Sequence, residues 1–123
     1  MTIKRILPAA RYSEAVIVNG LIFCAGMVPE NSSDDATLQT EDVLGQIDAL
    51  LAQCGTDKTR LIDATIYLAD MADYAAMNLA WDNWVAPGCA PARATVEAKL
   101  ADPAWKIEIK MSQIKPKPRV SIG

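Results

Sequence analysis

The first part of the chain carries two short apolar runs, residues 16–18 and 21–24, on either side of Asn19-Gly20. Asn-Gly is the dipeptide that best accepts the positive φ angles of a two-residue hairpin turn. These runs therefore predict a β-hairpin. Residues 3–7 predict a further short strand before it.

Two later segments repeat their apolar residues at helical spacing. Over residues 37–54 the repeating positions are Val43, Ile47, Leu50, Leu51 and Cys54. Gly55 follows where a left-handed C-terminal cap is favoured. A second helix is predicted between Asp70, a candidate N-cap, and Pro87-Gly88, with one side formed by Tyr74, Met77, Trp81 and Val85.

Three other segments are typical of strands. Residues 61–68 are rich in β-favouring side chains, with Ile62, Ala64, Ile66 and Leu68 on one face. Residues 92–100 and 105–114 both alternate, so that Arg93, Thr95 and Glu97 share one side of their strand.

The order of these elements predicts an α+β fold in which both helices pack on one face of a mixed sheet. We expect Arg93, Thr95 and Glu97 to lie on the opposite face. A sheet covered on one side leaves that second face to solvent or to another subunit.

Length and charge narrow the possible classes of protein. The 123 residues suit one domain, predicted at residues 1–115, with a solvated basic tail at 116–123. A net charge of −3 argues against nucleic acid as the main partner. No apolar run reaches transmembrane length and no signal-peptide pattern follows Met1, so we expect a cytoplasmic protein without a membrane partner.

Three cysteines, Cys24, Cys54 and Cys89, are too far apart for a Cys-x-x-Cys site. The odd number fits reduced thiols. Because the chain contains no histidine, no imidazole activates Cys89, and a metal site lacks suitable ligands. We therefore expect neither a metal nor a cofactor.

The most usable chemical groups that remain are Arg93 and Glu108. A guanidinium fork grips a planar carboxylate through two hydrogen bonds, and a nearby carboxylate orients a water or takes its proton. On the residues alone, the simpler hypothesis is a structural ion pair between two strands. By the same reasoning, Tyr12 is a packing residue at a strand edge and Asn78 is an exposed or capping amide. Trp81 and Trp84 are core and interface residues rather than a platform for stacking bases.

Several pieces, taken together and in order from Arg11 to Lys115, resemble the RidA family, also called YjgF or RutC. They are residues 11–13, 24–29, 63–68, 77–78, 90–97 and 107–109. The stretch 63–85 and the loop 28–31 are most similar to the YoaB-like branch.

The resemblance implies a chorismate-mutase-like subunit in a homotrimer, with clefts between neighbouring subunits. It implies hydrolysis of reactive 2-imino or enamine acids to 2-keto acids and ammonia, so the small-molecule partners are 2-imino or 2-keto acids. Arg93 matches the arginine that holds the substrate carboxylate, and Glu108 matches the carboxylate beside the attacking water. Tyr12, Gly26 and Thr95 match substrate-binding positions, and Thr95 replaces a frequent cysteine.

The sequence departs from the family pattern at two positions, and two alternative functions remain open. Ala25 and Met27 replace a serine and a glutamine that often flank the matching glycine, so the pocket is less polar. One alternative is a non-catalytic protein that binds small carboxylic acids through Arg93. The other is a ribonuclease, which the acidic charge and the missing histidine disfavour.

Overall fold

The computed structural model describes residues 1–117. Within that range lie six strands and two α-helices, in the order β1 (Ile3–Pro8), β2 (Ser13–Val18), β3 (Leu21–Cys24), α1 (Ala36–Gln53), β4 (Leu61–Leu68), α2 (Tyr74–Trp84), β5 (Ala92–Glu97) and β6 (Ile107–Ile114). Short 3-10 turns at Lys58–Arg60 and Met71–Asp73 precede β4 and α2. The predicted order is confirmed, whereas most of the tail predicted at residues 116–123 lies outside the described residues.

The strands form one sheet in the order β1-β2-β3-β6-β4-β5. β4 and β5 pair in parallel because α2 connects them as a crossover, and the other neighbours are antiparallel. Alternate residues of the strands join the helices in one core, whose fully buried members include Ile66 of β4, Leu51 of α1 and Met77 of α2. The predicted α+β class, with two helices on one face of a mixed sheet, is confirmed.

The hairpin predicted at Asn19-Gly20 is also confirmed. Asn19 has a φ of 51° and Gly20 a φ of 75°, as the tight turn requires. The turn sets the register so that Ile17 opposes Ile22, and both side chains are buried.

The first helix ends at the predicted signal, and its N-cap is a residue that was predicted only as part of a polar loop. The Asp35 carboxylate accepts a hydrogen bond from the Leu38 N–H at 3.0 Å, which caps the N-terminus. Gly55 has a φ of +79°. The Thr56 N–H then bonds to the Leu51 carbonyl at 2.9 Å, which closes the C-terminus. All predicted apolar positions are buried, namely Val43, Ile47, Leu50, Leu51 and Cys54.

A buried amide connects α1 to the start of β6. Gln39 is fully buried, and its Nε2 donates to the Ser33 and Ala104 carbonyls at 2.7 and 3.0 Å. Its Oε1 accepts from the Lys106 N–H at 2.7 Å. These three hydrogen bonds hold the backbone just before Glu108 in place, because breaking them would leave buried polar groups unpaired.

Two details of the predicted elements are wrong. Ile62 is exposed rather than buried with Ala64, because the pairing of β4 with β6 shifts between Leu61 and Asp63 and turns Ile62 outward. Asp70 caps the 3-10 turn before α2, not α2 itself, through a 2.8 Å hydrogen bond from the Ala72 N–H.

The predicted orientation of β5 is wrong as well. Arg93 opposes Ala64 and Thr95 opposes Ile66, and both of these β4 residues face the helices. Arg93, Thr95 and Glu97 therefore lie on the helix side of the sheet. The residues on the helix-free side are exposed, as Val96 is. The alternation of side chains along a strand predicts which residues share a side, but it does not predict which side packs against the helices.

Candidate functional site

Arg93 extends from β5 to one face of α2. Its Nη1 donates a hydrogen bond to Asn78 Oδ1 at 2.9 Å, and its Nη2 donates one to Tyr74 Oη at 3.2 Å. The guanidinium carbon lies 5.2 Å from the centre of the Trp81 ring. Positions 74, 78 and 81 share one side of the helix because they follow the spacing of successive helical turns. These contacts hold the guanidinium in one orientation.

The groups that hold Arg93 are neutral. Both hydrogen bonds from its side chain go to uncharged oxygens, an amide and a phenol. Its positive charge is therefore not neutralised by a hydrogen-bonded carboxylate within residues 1–117. A guanidinium has five N–H groups, so three remain for a ligand. That number is sufficient for one bidentate carboxylate.

Glu108 lies on the other face of the sheet. It opposes Tyr67 on β4, whereas Arg93 opposes Ala64 on the same strand. Because side chains alternate along a strand, positions 64 and 67 point to opposite faces. An ion pair between Arg93 and Glu108 within one chain is therefore excluded.

The Glu108 carboxylate lies directly over Gly26. A Cβ atom at position 26 would overlap Glu108 Oε2 and would lie 2.9 Å from Cδ. Two backbone hydrogen bonds between Met27 and Ile109, at 2.8 and 3.0 Å, hold the two segments together. Glycine is required here because any side chain would displace the carboxylate.

Tyr12 and Gly26 line one open groove of about 570 Å³ that borders α1. Its other lining residues include Glu14, Met27, Val28, Glu30 and Gln46. The loop that forms one wall is held by Asp42, whose carboxylate accepts from the Glu30 and Asn31 N–H groups at 2.6 and 2.7 Å. Burial opposes ionisation of Asp42, but these hydrogen bonds prevail and lower its pKa.

The five predicted site residues thus form two groups in one chain. Tyr12, Gly26 and Glu108 belong to the first group, in which Tyr12 and Gly26 line the groove and Glu108 lies over Gly26. Arg93 and Thr95 belong to the second, on β5 beside α2. The Thr95 hydroxyl is buried and has no hydrogen-bond partner among residues 1–117. A single chain therefore does not bring the two groups together.

The side chains that hold Arg93 were not predicted as functional. Asn78, predicted as an exposed or capping amide, is partly buried and accepts the bond from Arg93. Tyr74 was assigned to the buried side of α2, yet it is 43% exposed. Their spacing with Trp81 along α2 was the available signal. Trp81 and Trp84 are both buried, as predicted.

Two of the cysteines are inert thiols. Cys24 and Cys54 are buried, and burial raises the pKa of both. Neither is suited to act as a thiolate nucleophile. Within the described part of the chain, no group of three or more metal-ligating side chains occurs, and neither helix has the length and apolarity of a membrane span.

Comparison with known proteins places these features in a family. The family model described as endoribonuclease L-PSP matches residues 2–114. A RutC family protein of Haemophilus influenzae is 57% identical over 110 residues, which cover 89% of this chain and 95% of that protein. The RutC family protein YoaB of Escherichia coli is 52% identical over 111 residues, covering 90% of this chain and 96% of YoaB.

A solved structure and a more distant relative agree with that match. The crystal structure of NMB1025 from Neisseria meningitidis, a member of the YjgF protein family, has a TM-score of 0.93 at 57% identity, covering 96% of this chain and 98% of that one. The chloroplastic Reactive Intermediate Deaminase A of Arabidopsis thaliana is 34% identical over 104 residues, covering 80% of this chain and 55% of that protein. The chain therefore belongs to the RidA family, also called YjgF or RutC, and is similar to its YoaB-like members.

Proposed function

We propose that the protein hydrolyses reactive 2-imino acids, and enamines as their tautomers, to 2-keto acids and ammonia. The observation that carries this proposal is the Arg93 guanidinium, which is oriented by Asn78, Tyr74 and Trp81 but keeps its positive charge free. Such a group is suited to bind a small carboxylate. The relationship to a named reactive intermediate deaminase supports the same chemistry.

The reaction needs few groups. Arg93 holds the substrate carboxylate through two hydrogen bonds and thereby fixes the neighbouring C=N carbon. Glu108 takes a proton from a water whose oxygen adds to that carbon, and it passes this proton to the nitrogen. The hydroxyl of the adduct then gives its proton to Glu108 and from there to the nitrogen, the C–N bond breaks, ammonia leaves, and a C=O bond forms. No electrons are transferred, and the iminium carbon is already electrophilic, so a cofactor is not needed.

The proposed site lies between copies of the chain. Arg93 and Glu108 lie on opposite faces of the sheet, so one ligand contacts both only if two chains meet. The helix-free face also exposes apolar side chains that a partner would cover, namely Leu21, Phe23, Val96 and Ile114. A closed homotrimer with three equivalent clefts satisfies both observations.

Mixing two inactive variants is expected to restore activity. In trimers that assemble at random from Arg93→Ala and Glu108→Gln chains, about one quarter of the clefts pair an intact Arg93 with an intact Glu108. Co-refolded mixtures should therefore recover about a quarter of the wild-type imine hydrolysis. Each variant refolded alone is the control. No recovery, or a monomer by light scattering, would contradict a site shared between chains.

Gly26→Ala is expected to impair turnover more than folding. The added methyl collides with the end of the Glu108 side chain, which rotates away at little cost in the free energy of unfolding. Displacing the carboxylate should lower imine hydrolysis roughly tenfold or more. Thermal unfolding and turnover are measured together, with Gly45→Ala as the control because nothing lies within 4 Å of its new methyl. Wild-type turnover in Gly26→Ala would argue against a role for Glu108 at this position.

The direct test of the proposal is a coupled assay. An amino-acid oxidase supplies imines with a panel of side chains, and the loss of each imine is followed with and without the protein. Acceleration of imine loss is the expected result. Binding of a 2-keto acid without any acceleration would instead identify a non-catalytic carboxylic-acid binding protein.

A further inference from the structure

The Tyr74 hydroxyl takes part in a hydrogen bond with Arg93, and its own hydrogen atom is not used in that bond. Arginine carries donors only, so in the 3.2 Å contact Nη2 of Arg93 donates and the Tyr74 oxygen accepts. The phenolic O–H must then point elsewhere. Within residues 1–117, no group accepts a hydrogen bond from it.

This hydroxyl is accessible to a ligand at Arg93. Tyr74 is 43% exposed, and its oxygen lies 3.2 Å from Arg93 Nη2, which keeps a second N–H group for a ligand. Asn78, one turn further along α2, accepts one N–H group of Nη1. A carboxylate that binds the guanidinium presents several lone pairs, of which two suffice for Arg93. The others remain free to accept a hydrogen bond from the adjacent Tyr74 hydroxyl.

We propose that Tyr74 is a ligand-binding residue whose hydroxyl donates a hydrogen bond to the carboxylate held by Arg93. The inference rests on the proposed function, since it assumes that the carboxylate binds at Arg93. Tyr74 thus has two roles at one oxygen: it accepts from Arg93 and donates to the ligand. A phenylalanine at this position would fill the same space and provide neither.

The first experiment measures equilibrium binding of 2-ketobutyrate, a product-like acid that does not turn over, by titration calorimetry. Tyr74→Phe is expected to weaken binding roughly tenfold or more, because a hydrogen bond to a charged group is lost. Thr37→Val is the matched control. It removes a hydroxyl that bonds to the Ala76 carbonyl of α2 at 2.9 Å, away from Arg93, and should bind as the wild type does.

A second experiment separates donation to the ligand from positioning of Arg93. Replacing Tyr74 by 3-fluorotyrosine makes the hydroxyl a stronger donor and a weaker acceptor. At mildly acidic pH, tighter binding of 2-ketobutyrate is expected. Weaker binding would mean that Tyr74 only positions Arg93, and the inference would be overturned. This measurement also decides the matter if Tyr74→Phe fails to fold.

The outcomes distinguish this inference from the proposed function. If Tyr74→Phe binds like the wild type while Arg93→Ala loses binding, the role of Tyr74 is wrong and the carboxylate site at Arg93 stands. If Arg93→Ala also retains wild-type affinity, the carboxylate does not bind at Arg93. Both the inference and the proposed function then fail.

Discussion

Replacing Glu108 by glutamine is expected to lower imine hydrolysis roughly a hundredfold or more while binding of 2-keto acids persists. Glutamine keeps the size of the side chain and much of its hydrogen bonding, but it does not take a proton from water. The carboxylate keeps its position over Gly26, where any side chain would displace it. The single-turnover rate should therefore fall, while the affinity measured by calorimetry stays close to the wild-type value.

The matched control is Glu41→Gln, which removes a carboxylate from an exposed position on α1 outside the Tyr12 groove. It should leave both turnover and affinity unchanged. If Glu108→Gln folds, assembles and hydrolyses imines at the wild-type rate, Arg93 with a bound water suffices. Glu108 then has only a structural role.

Arg93→Ala is expected to reduce both binding and turnover. The substitution removes a charge-assisted, bidentate contact worth about 1.5–3 kcal/mol, which corresponds to a loss of affinity of roughly tenfold to a hundredfold. It also leaves Asn78 and Tyr74 without their shared donor. Affinity for 2-ketobutyrate and the rate of imine hydrolysis are the two measurements.

Two further variants test whether the loss of binding and turnover is specific to the guanidinium of Arg93. Arg93→Lys keeps the charge but loses the planar fork, so it should recover only part of the affinity. Arg60→Ala removes an exposed arginine from the 3-10 turn before β4 and should behave as the wild type does. Wild-type affinity and turnover in a folded Arg93→Ala protein would mean that the contacts of Arg93 with α2 are purely structural.

The local elements of this protein were predictable from the sequence because near neighbours determine them. Asn19-Gly20 accepts the positive φ angles of the hairpin, and Gly55 accepts the left-handed angle that ends α1. The spacing of apolar residues along α1 identified its buried side. Such features depend on backbone sterics and on contacts within one or two turns, so no knowledge of the rest of the fold is needed.

The candidate site was predictable only in part. Arg93, Glu108, Tyr12, Gly26 and Thr95 were identified from residue chemistry and from the resemblance to a family. Their division into two groups was not, because it depends on which strands pair and in what register. Tyr74 and Asn78 were missed for a related reason: their contacts with Arg93 join a helix to a strand that is distant in sequence.

The sequence by itself determined the order of strands and helices, the tight turn, the glycine that ends α1 and the types of reactive groups, since each follows from residues adjacent along the chain. Only the tertiary structure decided that Arg93 faces α2 and that Glu108 lies over Gly26 on the other side of the sheet. Alternation defines two faces of a strand, but which face is buried depends on where the helices pack their apolar sides. This packing places Arg93 and Glu108 on opposite faces of the sheet within a chain, so the proposed site needs a second chain.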